Sequence, residues 1–217
     1  NDAFDEFDER LLLTIANPVN ATLGSVSSSI LTITDTNDTP ALVIADEALS
    51  VAEGGNVSIN YSLNNPSEKP IAFSYTTSAT NQTAVAGEDF VFASGQIELA
   101  PGETSGSIQI ETLDDSIDEN DKSFKVIFSS SQNVEVGDAT EVLITITDND
   151  TAPLVLLDVS DVNEGQTATV AVSLSSISDK TISLDIASSS NVADNLDYTD
   201  INTSLTFNPG ETSKSIS

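Results

Sequence analysis

The stretch LITITDND, Leu143–Asp150, has a near copy in ILTITDTND, Ile30–Asp38. In both, apolar residues alternate with Thr until the run ends in acid, and a Thr and a Pro follow, as Thr39-Pro40 and as Thr151-Ala152-Pro153. Alternation with a period of two is the pattern of a strand with one buried face. A strand pattern that recurs together with its terminus points to a chain built of copies.

Other stretches recur in step. VAEGG at Val51–Gly55 returns as VNEGQ at Val162–Gln166 after 111 residues, and LAPGETS at Leu99–Ser105 returns as FNPGETS at Phe207–Ser213 after 108. DEFDERLLLTI at Asp5–Ile15 anticipates DENDKSFKVIF at Asp118–Phe128 by 113. The spacing divides the chain into residues 1–39, the C-terminal part of a first repeat, residues 40–150, a complete repeat, and residues 151–217, the N-terminal part of a third.

Within the complete repeat Val57, Ile59, Tyr61 and Leu63 alternate with Ser58, Asn60 and Ser62. Ile71, Phe73 and Tyr75, then Ile108 and Ile110, then Phe124, Val126 and Phe128, then Val142, Ile144 and Ile146 continue the pattern. No segment has a helical period. Seven strands in about 110 residues, parted by Gly, Pro, Asn and Asp turns, predict an all-β chain of tandem immunoglobulin-like, seven-stranded antiparallel β-sandwiches. The strands are expected at 41–49 (A), 56–63 (B), 70–77 (C), 90–99 (D), 105–113 (E), 122–129 (F) and 139–147 (G).

Composition limits function. Among 217 residues, 35 are acidic and 6 basic, a net charge of −29, which repels nucleic acid and anionic membranes and favours metal cations or basic partners. His and Cys are absent, so no disulfide holds the fold, and thiol chemistry and the usual histidine acid–base chemistry are closed. The expectation is a non-enzyme. No apolar run has transmembrane length, and an exported parent would carry its signal outside this segment.

Strand direction gathers the acid. If each strand reverses the last, A, C, E and G end at one pole. There lie Glu53, then Glu88 and Asp89, then Asp114, Asp115, Asp118, Glu119 and Asp121, then Asp148 and Asp150. The opposite pole carries NNPSEKP, APGET and SSQNVEVGD, which are less acidic. Two unit charges roughly 5 Å apart cost on the order of 3 kcal/mol at an effective dielectric of 20, so a cation is expected among them. Carboxylate oxygens without His or Cys suit Ca²⁺, which takes about 6–8 oxygen ligands. The alternatives at this stage are a merely solvated acidic pole and a glycosidase carboxylate pair. The second lacks aromatic sugar platforms, since there is no Trp and the only tyrosines are Tyr61, Tyr75 and Tyr198.

VAEGG, GEDF at Gly87–Phe90, LAPGET, DDSIDENDKSF and ITITDND, in this order and spacing, resemble the Calx-beta motif. That family takes its name from the regulatory domains of sodium/calcium exchangers and is widespread in bacterial surface proteins and adhesins. The resemblance implies a sandwich that binds Ca²⁺ at one pole, with ligand positions at Glu53, Asp89, Asp114, Asp115, Glu119, Asp148 and Asp150. Two departures bear on the number of ions: Lys122 stands where many members have Glu, and Asn149 interrupts the terminal acid. The partial repeats carry matching positions incompletely, as Asp2, Glu6, Asp8, Asp35 and Asp38 in the first and as Glu164 and Asp197 in the third.

The expected role is an extracellular, Ca²⁺-stiffened spacer in a cell-surface adhesin, filament or matrix protein. Its expected partners are neighbouring repeats of the same chain or of adjacent protomers, the segment being an excerpt of a longer array or its two end fragments completing one sandwich between chains. The alternatives are a Ca²⁺-sensing regulatory module of a transporter or enzyme, and a module that binds glycan, ice or a host receptor.

Overall fold

The computed structural model describes residues 2–137, 140–189, 193 and 197–217. Asp138 in the expected F–G turn and Ala139 at the expected start of strand G lie outside the described residues. Every regular element among the described residues is a strand.

The complete repeat is a sandwich of two sheets. A three-stranded sheet has the order β3 (Leu42–Ile44), β5 (Asn56–Leu63), β8 (Ser105–Glu111). A five-stranded sheet has the order β4 (Ala48–Ala52), β10 (Glu141–Thr147), β9 (Lys122–Gln132), β6 (Ile71–Ser78), β7 (Ser94–Leu99). Neighbours run antiparallel except β4 and β10, which are parallel.

Three elements differ from expectation. Strand A is divided: β3 pairs with β5 in one sheet and β4 with β10 in the other, and the acidic Asp46-Glu47 lies where the chain crosses between them. One short strand thereby covers an open edge of each sheet, which a single continuous strand could not do. Strand D starts later, at Ser94, because Phe90 turns into the core and stacks on Phe124 with centroids 4.1 Å apart. Thr77 holds the intervening segment off the ladder, its N–H donating to the Ala93 carbonyl at 2.8 Å and its hydroxyl accepting from the Ala93 N–H at 3.0 Å. Strand F is longer, running to Gln132 with a register shift at Ala72/Phe73.

The alternating residues fill the space between the sheets. Ile59, Ile110, Phe73, Phe124, Val126, Val142 and Ile144 are fully buried, and Tyr61 packs edge-on to Phe73. Burial of this apolar area is the main favourable term in folding.

The flanking parts have the matching strands without the matching burial. β1 (Glu9–Thr14) and β2 (Ser28–Ile33) form an antiparallel pair equivalent to F and G, with Leu11, Leu13, Ile30 and Ile33 exposed. After the complete repeat, β11 (Val155–Val159), β12 (Val170–Leu174) and β15 (Ser213–Ile216) form one sheet, equivalent to A, B and E. β13 (Ile182–Ala187) and β14 (Asn202–Phe207), equivalent to C and D, form another. Among the described residues these two sheets bury only Val172, Leu174 and Phe207 between them.

Candidate metal centre

Four segments meet where β4, β8 and β10 end. The turn after β4 places Glu53, and its tightness depends on Gly54, which has φ +70° and whose missing Cβ would lie 2.9 Å from Asp114 Cβ. The buried Thr112 straps this turn to the end of β8. Its hydroxyl oxygen accepts from the Gly55 N–H at 3.0 Å and lies 3.1 Å from the Ala52 carbonyl oxygen. The Glu53 N–H donates to the Thr147 carbonyl at 3.2 Å, tying the turn to β10 as well.

Asn149, read in the sequence as an interruption, joins three strands' ends. Its N–H donates to Glu53 Oε1 at 3.0 Å, and its side-chain amide reaches the Glu53 carbonyl at 3.3 Å and Asp114 Oδ1 at 3.4 Å. Asp148 accepts from the Asp150 N–H through Oδ1 at 3.2 Å and from the Glu119 N–H through Oδ2 at 3.0 Å. Asp121 Oδ1 accepts from the Asp148 N–H at 3.3 Å, and Asp115 Oδ1 accepts from the Ile117 N–H at 2.7 Å.

This scaffold brings carboxylate oxygens of Glu53, Asp115 and Asp150 within 4.8 Å of one another. Asp150 Oδ2 is buried and has no hydrogen-bond partner. Burial pushes the Glu53 carboxyl above its ordinary range, opposed by the Asn149 N–H and reinforced by Asp150, Asp115 and Asp148. Burial raises Asp150 too, followed by the charges of Asp148, Asp115 and Asp114. An all-oxygen donor set with a buried, unpaired carboxylate oxygen fits a hard divalent cation, and the absence of nitrogen and sulfur donors disfavours zinc and copper.

The rest of the pole already holds cations of the chain. Lys122 Nζ lies 2.7 Å from Asp89 Oδ1 and 2.5 Å from Glu119 Oε2. Burial works against its charge, yet the bonds from these two carboxylates outweigh it and hold the ammonium well above its usual range. Asp89 Oδ2 also accepts from the Val85 N–H at 2.5 Å. Of the seven expected ligands, therefore, Glu53, Asp115 and Asp150 converge, Asp114 adjoins them through Asn149, and Asp148 holds backbone amides and lies 3.2 Å from Lys180 Nζ through Oδ2. Asp89 and Glu119 pair with Lys122.

In the first repeat the same framework lies 113 positions earlier. Asp35 Oδ2 accepts from the Glu6 N–H at 2.9 Å, Asp35 Oδ1 from the Asn37 N–H at 3.0 Å, and Asp8 Oδ1 from the Asp35 N–H at 3.2 Å. Those backbone bonds hold the Asp35 carboxyl below its ordinary range, while burial raises Glu6. Asn37 thus stands where the complete repeat has Asp150, and Asp38 lies one position beyond, exposed, its carbonyl accepting from Asn65 Nδ2 at 2.9 Å. Asp2 accepts from the Phe4 N–H at 3.1 Å. In the third repeat Glu164 and Asp197 are exposed. Among the described residues the Glu53 group is the one in which three carboxylates converge.

The sequence reading also placed Asp118 at this acidic pole without a separate role. It is 5% exposed and faces the next repeat, with Ser178 Oγ 2.7 Å and Lys180 Nζ 2.6 Å from its carboxylate. The recurrence of Ser67-Glu68-Lys69 as Ser178-Asp179-Lys180, 111 residues on, is the signal that could have found it.

The model of the Calx-beta domain matches residues 35–150 and again 148–217. The chain belongs to the Calx-beta domain family. Extracellular matrix protein 3 of Lytechinus variegatus is 25% identical to it over 156 residues, which are 68% of this chain and 5% of that much longer protein. Solved structures similar to this Calx-beta chain include the apo-form Calx CBD1 domain, at 23% identity and a TM-score of 0.48, covering 52% of this chain and 100% of that one. CBD12 from CALX1.2 is 22% identical with a TM-score of 0.47, covering 81% of this chain and 74% of that one.

Proposed function

We propose that this Calx-beta chain is a calcium-binding structural repeat, non-enzymatic, which rigidifies an extracellular adhesin, filament or matrix protein. The observation that carries this reading is the buried, unpartnered Asp150 oxygen in the Glu53–Asp115–Asp150 triangle, at the point where β10 leaves one repeat for the next. Glu53, Asp115 and Asp150 would hold the ion, with Asp114 and Asp148 adjoining. Ca²⁺ would supply positive charge to the Glu53, Asp115 and Asp150 group, while Asp148 already has the Lys180 ammonium beside it. The partners in this reading are neighbouring repeats. Family membership and the resemblance to an extracellular matrix protein support the setting.

Calorimetric titration of the 217-residue chain with CaCl₂, beside Asp150→Asn, tests the site. The parent chain binds with heat, and Asp150→Asn binds on the order of tenfold or more weakly, because ligand charge sets Ca²⁺ affinity. Equal isotherms for both would sink the assignment of this triangle.

A further inference from the structure

Two places along the chain, 111 to 113 residues apart, show one contact in duplicate. At the first junction Asp5 is 2% exposed and Ser67 1%, with Lys69 Nζ 2.7 Å from Asp5 Oδ1 and Ser67 Oγ donating to Asp5 Oδ2 at 2.8 Å. The backbones exchange bonds as well: the Asp5 N–H donates to the Pro66 carbonyl at 3.1 Å, and the Glu68 N–H to the Asp5 carbonyl at 3.0 Å. At the second junction Asp118 takes the place of Asp5, and Ser178 and Lys180 take those of Ser67 and Lys69, with the Asp179 N–H donating to the Asp118 carbonyl at 3.0 Å and Lys180 Nζ also 3.2 Å from Asp148 Oδ2. In each socket the serine also orders the lysine's own backbone, accepting from the Lys69 N–H at 3.0 Å and the Lys180 N–H at 3.1 Å.

The two ends of this contact belong to opposite poles of the repeat. The aspartate sits in the E–F loop beside the candidate metal centre, and Ser-x-Lys sits in the B–C loop at the far end. A surface on one pole that fits a different surface on the other makes a head-to-tail contact that propagates instead of closing. Buried charge is tolerated only when paired and hydrogen-bonded, and each aspartate carboxylate here has an ammonium on one oxygen and a hydroxyl on the other, while its main-chain carbonyl accepts a backbone N–H. Such a contact rejects a neighbour that lacks any of these groups, because an unpaired buried carboxylate is costly.

We infer that the E–F-loop aspartate and the B–C-loop Ser-x-Lys form a plug and socket by which each repeat recognises and orients the repeat that follows it, without metal. The partner it fits is therefore a further β-sandwich whose B–C loop carries Ser-x-Lys. Equal chemistry at both junctions gives successive repeats the same relative rotation, so a longer array winds with a constant step.

The test uses the full chain. Because the chain has no cysteine, labels introduced by Ser58→Cys and Ser183→Cys are its only thiols, and pulsed electron resonance reads the distance distribution across the second junction. The parent gives one narrow distribution in chelator. Asp118→Asn, Ser178→Ala and Lys180→Met each widen it several-fold, and Asp118→Asn/Lys180→Met is no wider than the worse single variant, as for groups in contact. Exchange of the Asp179 amide, which donates across the junction, speeds up at least tenfold in Asp118→Asn, while exchange in β5 and β9 is unchanged, so that loss of the fold is told apart. Widths and exchange rates equal to the parent's in all three variants would overturn the plug and socket. A parent distribution that is broad in chelator and narrows only with CaCl₂ would overturn its independence of metal. The metal site can fail alone: then the junction variants still widen the distribution and CaCl₂ has no effect on any of them.

Discussion

Asp150 keeps one carboxylate oxygen where neither solvent nor a protein donor reaches it, and Asp118, in the adjoining E–F loop, has both carboxylate oxygens matched. The two carboxyls therefore respond to acid in opposite senses. Glu53 and Asp150 lie above their ordinary range, so folding favours their protonated forms. Their contribution to stability is complete below the unfolded value, about 4, and is lost as pH rises through their folded values. Asp118 is held below its ordinary range, first by the Lys180 ammonium and then by the Ser178 hydroxyl. Its contribution is present above about 4 and is lost as pH falls through its folded value. Melting midpoints in chelator are thus expected to rise as pH falls through the raised folded values of Glu53 and Asp150, and to drop again below about 4 as Asp118 is protonated. With millimolar Ca²⁺ the first change reverses sign, because protons then displace an ion. A midpoint independent of pH from 7 to 5 in both buffers would show that these carboxyls are ordinary surface acids.

At the scale of elements, a positive-φ glycine positions the centre. Gly54 combines a left-handed backbone with close approach to Asp114, and either alone disfavours a side chain. Gly54→Ala is expected to destabilise the complete repeat by roughly 1–2 kcal/mol, in urea titration, and to weaken Ca²⁺ binding by displacing Asp114. Gly102→Ala is the control: its φ is +84° but nothing lies within 4 Å of the added carbon, so it shares the strain and leaves Ca²⁺ affinity unchanged. If both variants bind Ca²⁺ like the parent, the turn does not position the centre. The split of strand A belongs to this scale too. Leu42 and Ile44 face the core from even positions and Leu49 and Val51 from odd ones, so the inward phase changes at Asp46-Glu47, where the chain passes from one sheet edge to the other.

For the molecule as a whole, charge and repetition act together. A chain with a net charge of −29 stacks its acidic pole against the next repeat, and Lys69 and Lys180, two of its 6 basic residues, lie in the contacts. Ca²⁺ at 100-fold above its dissociation constant is expected to stabilise the folded chain by about 2.7 kcal/mol per site, which differential scanning calorimetry in Ca²⁺ and in chelator reads directly. Solution scattering in the same buffers tests stiffening. The maximum dimension is expected to be better defined and protease cleavage at the junctions slower with Ca²⁺. Identical scattering and cleavage in chelator would mean that bound metal does not stiffen the array.

Period-two alternation, the repeated turns and the acid after strand G were enough by themselves to specify an all-β repeat with an acidic pole, because burial of one strand face and the backbone demands of turns are local. Alternation, whose inward phase shifts between Ile44 and Leu49, could not say which sheet each half of strand A joins, since an edge of either sheet accepts an apolar face. Nor could acidity separate Asp115 and Asp150, which converge, from Asp89 and Glu119, which Lys122 neutralises, or from Asp118, which enters the neighbouring repeat. Carboxylates have one chemistry in a sequence. Which cation each meets is a matter of where residues tens of positions away are folded, and only the tertiary structure decides it.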